Sequence, residues 1–363
     1  MTPTTRTPKL PSLDGWRAIS IALVLLAHSS HTVGFPARFH PVSDVFNIGV
    51  LGVRFFFVIS GFLITWLLLQ EKAKSGRINL KYFFVRRAVR ILPVCFLYLL
   101  VLACCTQYSQ SPAAWLANLT FTTDFYSTPM PTSHLWSLGV EEQFYLLWPL
   151  LLVWHLGRPA GNTRLLKILI VPLLVAPVAR LLGCKLWYPE VLHFLFQGQS
   201  FFGNFDSLAY GCLAAILLHQ RRTDVELVFQ KYFQLILWGG LALILVPLAL
   251  KISSVPQRIQ ATGFDSLQAT GFSLLLLQSI LYPNRGWYRL LNWKWMIHLG
   301  VLSYSTYIWQ QMFCLTDASI FGVPDGWWAT FPLWILLALL AAHASYYLLE
   351  KPLLKLRAKF HTT

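Results

Sequence analysis

Stretches of roughly twenty apolar residues recur from one end of this chain to the other, and few folds are open to a chain so patterned. Of its 363 residues, 56% are hydrophobic and 12% charged, whereas a soluble domain carries about a quarter charged residues. A globule of this length cannot hide that surplus. Lipid can, and since hydrocarbon satisfies no free backbone N–H or C=O, runs of this length must be helices. The predicted fold is therefore all-α, a polytopic integral-membrane bundle of about ten transmembrane helices near 17–33, 48–69, 89–106, 138–157, 165–182, 200–218, 232–250, 267–282, 297–315 and 328–349. The first apolar run, Ile19–Ala27, is followed by His28, Ser29, Ser30 and His31 instead of a small-residue cleavage site, so it reads as a retained helix.

The net charge of +15 would invite a nucleic-acid reading in a soluble chain. Here the cations sit between apolar runs, and positive-inside topology accounts for them first. With the N-terminus inside, the inner segments hold Arg6, Lys9 and Arg17, the cluster from Lys72 to Arg90, then Arg158, Arg221, Arg285 and their neighbours, and the cations after Glu350. The outer segments hold Arg38, Arg180, Lys185, Lys251 and Arg258. Both termini are thus expected in the cytoplasm, with membrane lipids as partners and no nucleic acid. Loops are short, so residues 1–363 read as a single integral-membrane domain with no separate soluble domain. The six cysteines form no CxxC, and no metal site is expected.

Polar residues inside apolar runs carry the functional argument. In LDGWRAISIALVLLAHSSH, Arg17 and His28 are eleven positions apart, close to three helical turns, so they project from nearly one face about 16 Å apart. A histidine merely hydrogen-bonded within the bundle is the plainer account of His28; an ionisable group inside a span is also a functional candidate, and a neutral imidazole is the form a general base requires. In HLWSLGVEEQFYLLWP, Glu141 and Glu142 are adjacent and point about 100° apart, so at most one faces a given partner. They lie at about the depth His28 reaches, roughly 5 Å below the outer edge of a core about 30 Å thick. A carboxylate there would fix the imidazole's tautomer; wet headgroups are the alternative. Arg86, Arg87 and Arg90 cluster in KYFFVRRAVRILP, with Arg87 and Arg90 sharing a face. Guanidinium forks suit phosphate, and a positive-inside anchor explains them equally. Arg54 and Asp206 each fall about 10 Å inside a span and are candidates, with Glu142 and His28, to line one outward-facing cavity. Snorkelling or a buried Arg–Asp pair are their other readings. Trp136 and Ser137, beside the two acids, are cavity-lining candidates. Trp115, Trp187, Trp327 and Trp328 also suit sugar stacking or an interfacial belt.

At these residues the chain resembles the membrane-bound acyltransferase family 3, whose members O-acylate bacterial surface polysaccharides and related sugars. The resemblance spans nearly the whole chain and rests on LDGWRA with His28 at the family's spacing, GVRFFFVISGFLIT, RRAVRILP, HLWSLGVEEQFYLLWP and YYLLEKP. It implies a bacterial inner-membrane enzyme with no bound cofactor. Acetyl-CoA or another acyl-CoA is the co-substrate on the cytoplasmic side, and a hydroxyl of a carbohydrate or lipid-linked glycan is the acceptor on the outer side. By residue, it implies His28, Arg17 and Glu142 as catalytic and Arg87 and Arg90, with Arg86 beside them, as donor-binding. Two departures stand out: Asn204, where many relatives have Arg, and Gln310, where many have His.

The expected chemistry is transfer of an acyl group from a thioester to a hydroxyl, with His28 taking the hydroxyl proton, Glu142 orienting it and Arg17 holding donor charge. A small-molecule or proton-coupled transporter would use the same intramembrane ions as a relay. A non-catalytic glycan binder is a third reading.

Overall fold

The computed structural model describes residues 10–39, 47–105, 109–126, 128–157, 161–183, 199–251, 259–315 and 326–357. Arg6, Lys9, Arg158, Lys185, Trp187 and Arg258 lie outside them. The described residues form helices and no strand; one isolated bridge joins Val33 to Thr330. In chain order the helices are α1 (Leu13–Ser29), α2 (Ile48–Ser75), α3 (Leu80–Cys105), α4 (Pro112–Thr120), α5 (Trp136–Leu156), α6 (Gly161–Gly183), α7 (Phe201–Gln220), α8 (Arg222–Lys231), α9 (Phe233–Leu250), α10 (Asp265–Leu281), α11 (Tyr288–Leu291), α12 (Lys294–Phe313), α13 (Leu333–Ser345) and α14 (Lys351–Arg357). Single π-type turns precede α10 at Gln260–Phe264 and join α13 to α14 at Tyr346–Glu350.

Five of these elements are long and apolar enough to cross a membrane: Ile48–Ser75, Leu80–Cys104, Phe201–Gln220, Phe233–Leu250 and Leu333–Lys355. The protein is thus a multi-pass membrane protein. Helices α1 and α10, with 17 residues each, and α5 and α12 pack with them, α5 leaving Leu146, Leu147, Leu150, Leu151 and Trp154 exposed along one side. Helix α2, the longest, lies at its centre, 78% of its apolar window being buried. It ends where Gly76 adopts a φ of 73° and returns its N–H to the Lys72 carbonyl, a left-handed closure that glycine takes without Cβ strain.

Packing in lipid is driven by close approach, and small residues permit it. Helices α2 and α7 cross where Gly61 and Gly211 face each other's backbone; a Cβ at either would overlap a carbonyl of the partner helix. Helix α1 is clamped in the same way. A Cβ at Gly300 of α12 would overlap the Asp14 carbonyl, and one at Gly52 of α2 would crowd that of Ser20. Its first turn is tied down by Ser12 N–H to Asn292 Oδ1 at 2.8 Å and Trp16 Nε1–H to Ser279 Oγ at 2.9 Å. The helix carrying Arg17 and His28 is therefore fixed in rotation as well as position.

Candidate functional site

Two cavities meet inside the bundle. The first, about 90 Å³, is lined by Arg17 from α1, Ser60 from α2, Arg87 and Arg90 from α3, Ser137, Glu141 and Tyr145 from α5, and Tyr304 and Tyr307 from α12. Helical spacing explains the convergence: Arg87 and Arg90 are three apart, Glu141 and Tyr145 four apart, Tyr304 and Tyr307 three apart, so each pair shares a face. Arg17 stands 3.7 Å from Asp14. The Arg87 guanidinium lies over the Tyr145 ring, 4.8 Å from its centroid, where the ring's quadrupole supports a cation. Among the described residues neither Arg87 nor Arg90 is in an ion pair. Three guanidinium groups thus face one chamber-lining carboxylate, Glu141, an excess of positive charge that makes the chamber a candidate anion site.

Arg86 does not share it. Its Nη2 is 2.8 Å from Glu71 Oε2, because one position along a helix turns a side chain about 100°. Of the three arginines expected to cluster in this segment, Arg87 and Arg90 line the chamber and Arg86 does not, while Arg17 joins them from another helix. The same rotation separates the two acids. Glu141 faces the chamber beside Ser60 and Tyr145, which are hydrogen-bonded to each other. Glu142 lines neither cavity, and its Oε1 is buried with no hydrogen-bond partner.

The second cavity, about 500 Å³, is lined by His28, His31, Met130, Ser133, His134, Trp136 and Gln311 among others. The His28 Nδ1 lies 2.6 Å from Gln310 Oε1. The expected carboxylate beside this imidazole is thus replaced by an amide, and Glu142 is not its orienting partner. Helix α1 packs mainly along α2 and α12, and α5 is not among its main neighbours.

The two chambers share a wall made of Val53 and Tyr307. The Tyr307 hydroxyl is 2.6 Å from Ser137 Oγ and donates to the His134 carbonyl at 2.8 Å, pinning the ring across the junction. Ser137 belongs to the arginine side and its neighbour Trp136 to the histidine side.

Arg54 and Asp206 are not in this system. Asp206 is paired with Arg180, Nη2 to Oδ2 at 2.9 Å and Nη1 to Oδ1 at 3.1 Å, and accepts from Ser266 Oγ at 2.6 Å. Arg54 is bonded to Gln268 and pairs with Asp265 at 2.6 Å. The expected single cavity holding Arg54, Asp206, Glu142 and His28 is therefore corrected: the first two form a separate buried network tying α2, α6, α7 and α10. Arg180, placed by charge pattern among outer-loop cations, is 4% exposed and supplies the partner that Asn204 does not.

Several cavity residues carry sequence signals not used above. Tyr145 follows Glu141 by one turn, and Tyr304, Tyr307 and Gln311 recur at i, i+3 and i+7 along α12. Gln310, in sequence only a departure from the family pattern, is the group that touches His28.

An acyltransferase-domain family model matches residues 10–350. The chain belongs to this acyltransferase family. It is similar to O-acetyltransferase OatA of Staphylococcus aureus, 27% identical over 95% of this chain and 57% of the relative. It is also similar to the peptidoglycan O-acetyltransferase OatA of Listeria monocytogenes, 25% identical over 95% and 56%. The putative peptidoglycan O-acetyltransferase YrhL of Bacillus subtilis is 25% identical over 95% and 55%. The chain spans a little over half the length of these relatives. No solved structure matches it.

Proposed function

We propose that this protein is a membrane O-acyltransferase that moves an acyl group, acetyl first among candidates, from acyl-CoA to a hydroxyl of a bacterial surface glycan. The observation that carries the reading is the adjacency of the two chambers: Arg17, Arg87 and Arg90, the last two without an ion pair among the described residues, on one side of the Val53–Tyr307 wall, and an anchored imidazole in a roomy cavity on the other. Arg17, Arg87 and Arg90 suit the phosphates of CoA, and the positive-inside pattern supports a cytoplasmic side for that chamber and for both termini. The long, uncharged pantetheine arm suits a narrow passage to His28. The relatives' names make peptidoglycan the first acceptor to try.

In the transfer, His28 Nε2 takes the hydroxyl proton as the acceptor oxygen bonds to the thioester carbonyl carbon. The C–S bond then breaks, and the CoA thiolate recovers the proton from the imidazolium. The ester and free CoA thiol are the products, with atoms and charge balanced.

Sealed bacterial membrane vesicles carrying the full chain are supplied with radiolabelled acetyl-CoA on the cytoplasmic face and peptidoglycan fragments on the other. The expected result is label on the glycan, released as acetate by mild alkali and abolished by His28→Ala with the protein still in the membrane. Solute movement without any covalent product, or labelling undiminished in His28→Ala, overturns the reading.

A further inference from the structure

Which nitrogen of His28 can act as a base depends on which one holds the hydrogen, and a neighbour sets that choice. Behind the Gln310 contact lies a chain of two more bonds. Gln310 Nε2–H donates to Gln311 Oε1 at 3.1 Å, and Gln311 Nε2–H donates to Met130 Sδ at 2.8 Å. Gln310 and Gln311 are 0% and 1% exposed, so water does not compete for these groups.

Two amides in series have no inherent direction, because each can be turned end for end without changing shape. The sulfur supplies one. A thioether accepts and never donates, and Met130 also accepts from Ser133 Oγ at 2.8 Å. Gln311 must therefore turn its NH₂ to the sulfur and its carbonyl to Gln310. Gln310 in turn points its NH₂ at Gln311 and its carbonyl at His28. A carbonyl only accepts, so the ring hydrogen sits on Nδ1 and the lone pair on Nε2.

We propose that Met130, Gln311 and Gln310 act as a directional relay that holds His28 with its hydrogen on Nδ1 and its lone pair on Nε2. Gln310 and Gln311 are thereby positioning residues for proton transfer. The catalytic half of this statement rests on the reading of His28 as the base. A histidine side chain in water favours the hydrogen on Nε2, so without the relay a large share of His28 would present N–H, not a lone pair, to the acceptor hydroxyl. The other titratable groups facing His28 are His31 and His134; the substitutions below leave both in place.

The test compares Gln310→Leu, Gln311→Leu, the double variant and Gln310→Glu in the vesicle assay, with KM and kcat for acetyl-CoA measured across pH. Gln310→Leu is expected to lower kcat by roughly 10- to 100-fold, a part of the 10²- to 10⁴-fold that a positioned general base contributes, with KM unchanged. Gln311→Leu loses less, and the double variant is no worse than Gln310→Leu alone, since residues acting as a unit are not additive. Gln310→Glu keeps an acceptor at the same place and restores turnover, with the acidic limb of the kcat profile moved to higher pH by its charge. Additive losses, or a Gln310→Glu variant as inactive as the leucine, overturn the relay. Ring ¹⁵N spectra of histidine-labelled full-length protein, with the His28 signal identified by its loss in His28→Ala, judge the tautomer independently. A hydrogen on Nε2 in the unaltered protein refutes the relay whatever the kinetics show. Turnover that survives His28→Ala removes the catalytic role while leaving the tautomer result standing.

Discussion

Replacing Arg87 with methionine separates a binding charge from a structural one at a single helical position. The guanidinium lines the 90 Å³ chamber, is held over Tyr145 and is in no ion pair among the described residues. On the proposed reading the donor supplies its partner, through hydrogen bonds to charged oxygen worth about 1.5–3 kcal/mol. At about 1.36 kcal/mol per factor of ten, the loss raises KM for acetyl-CoA by roughly 10- to 150-fold. The contact is equally present before and during reaction, so kcat is unchanged. No ion pair breaks in the empty protein, and the thermal unfolding temperature in detergent stays level or rises. Arg86→Met is the control. It removes the same charge one residue away, where the group is bonded to Glu71, and should leave KM unchanged. Titration of acetyl-CoA against released CoA thiol in inside-out vesicles reads both variants. Equal KM values for the two, or a kcat collapse in Arg87→Met with KM intact, refutes the assignment of the chamber to donor phosphate.

Arg180→Met strands Asp206, 0% exposed, and should cost about 3–5 kcal/mol, the range for breaking a buried ion pair; a detergent melting curve showing no loss would contradict the network. Tyr307→Ala opens the wall between the chambers, so release of CoA thiol without acceptor should rise several-fold relative to glycan transfer, while Tyr307→Phe, which keeps the ring, shows a smaller rise. An unchanged ratio in the alanine variant would mean the wall is not a barrier. Outside the spans, burial pushes the Asp124 carboxyl up to about 6, despite hydrogen bonds from Gln143 and the Phe201 N–H. A raised folded-state value means that its stabilising contribution is complete below the unfolded value of about 3.9 and fades as pH rises through 6. Melting temperature should therefore carry a downward slope between pH 4 and 6 that Asp124→Asn removes.

What was legible in the sequence is what depends on one helix at a time. The eleven-residue interval placed Arg17 and His28 on one line of α1, and the three-residue interval placed Arg87 and Arg90 on one face of α3; both pairs reach the cavities. What depends on how one helix is rotated against another was not legible. Adjacency says that Glu141 and Glu142 diverge but not which one enters the chamber, since that is set by the turn of α5 against α2 and α3. For Asp206 the sequence offers Arg54 as a possible partner, whereas its partner Arg180 lies on a different helix, at a place where the charge pattern predicts an outer-loop cation. Charge pattern cannot tell a cation near a span end from one folded into the bundle beside an aspartate.

On the proposed reaction, the separation of the chambers resolves a conflict built into the chemistry. A donor with several phosphates calls for clustered guanidinium groups, whereas a base that becomes imidazolium as it works is repelled by them. Two unit charges 4 Å apart in surroundings of effective dielectric 20 repel by about 4 kcal/mol, and at 16 Å by about 1 kcal/mol. The three turns between Arg17 and His28 thus remove most of that penalty from Arg17 while keeping both groups on one rigid helix. The cost is distance: only a donor whose reactive carbon is carried on a long, uncharged arm can occupy both ends at once. Acyl-CoA has that shape and an acyl phosphate does not. A chain with this geometry that accepted acetyl phosphate as readily as acetyl-CoA would show that the two chambers are not one working site.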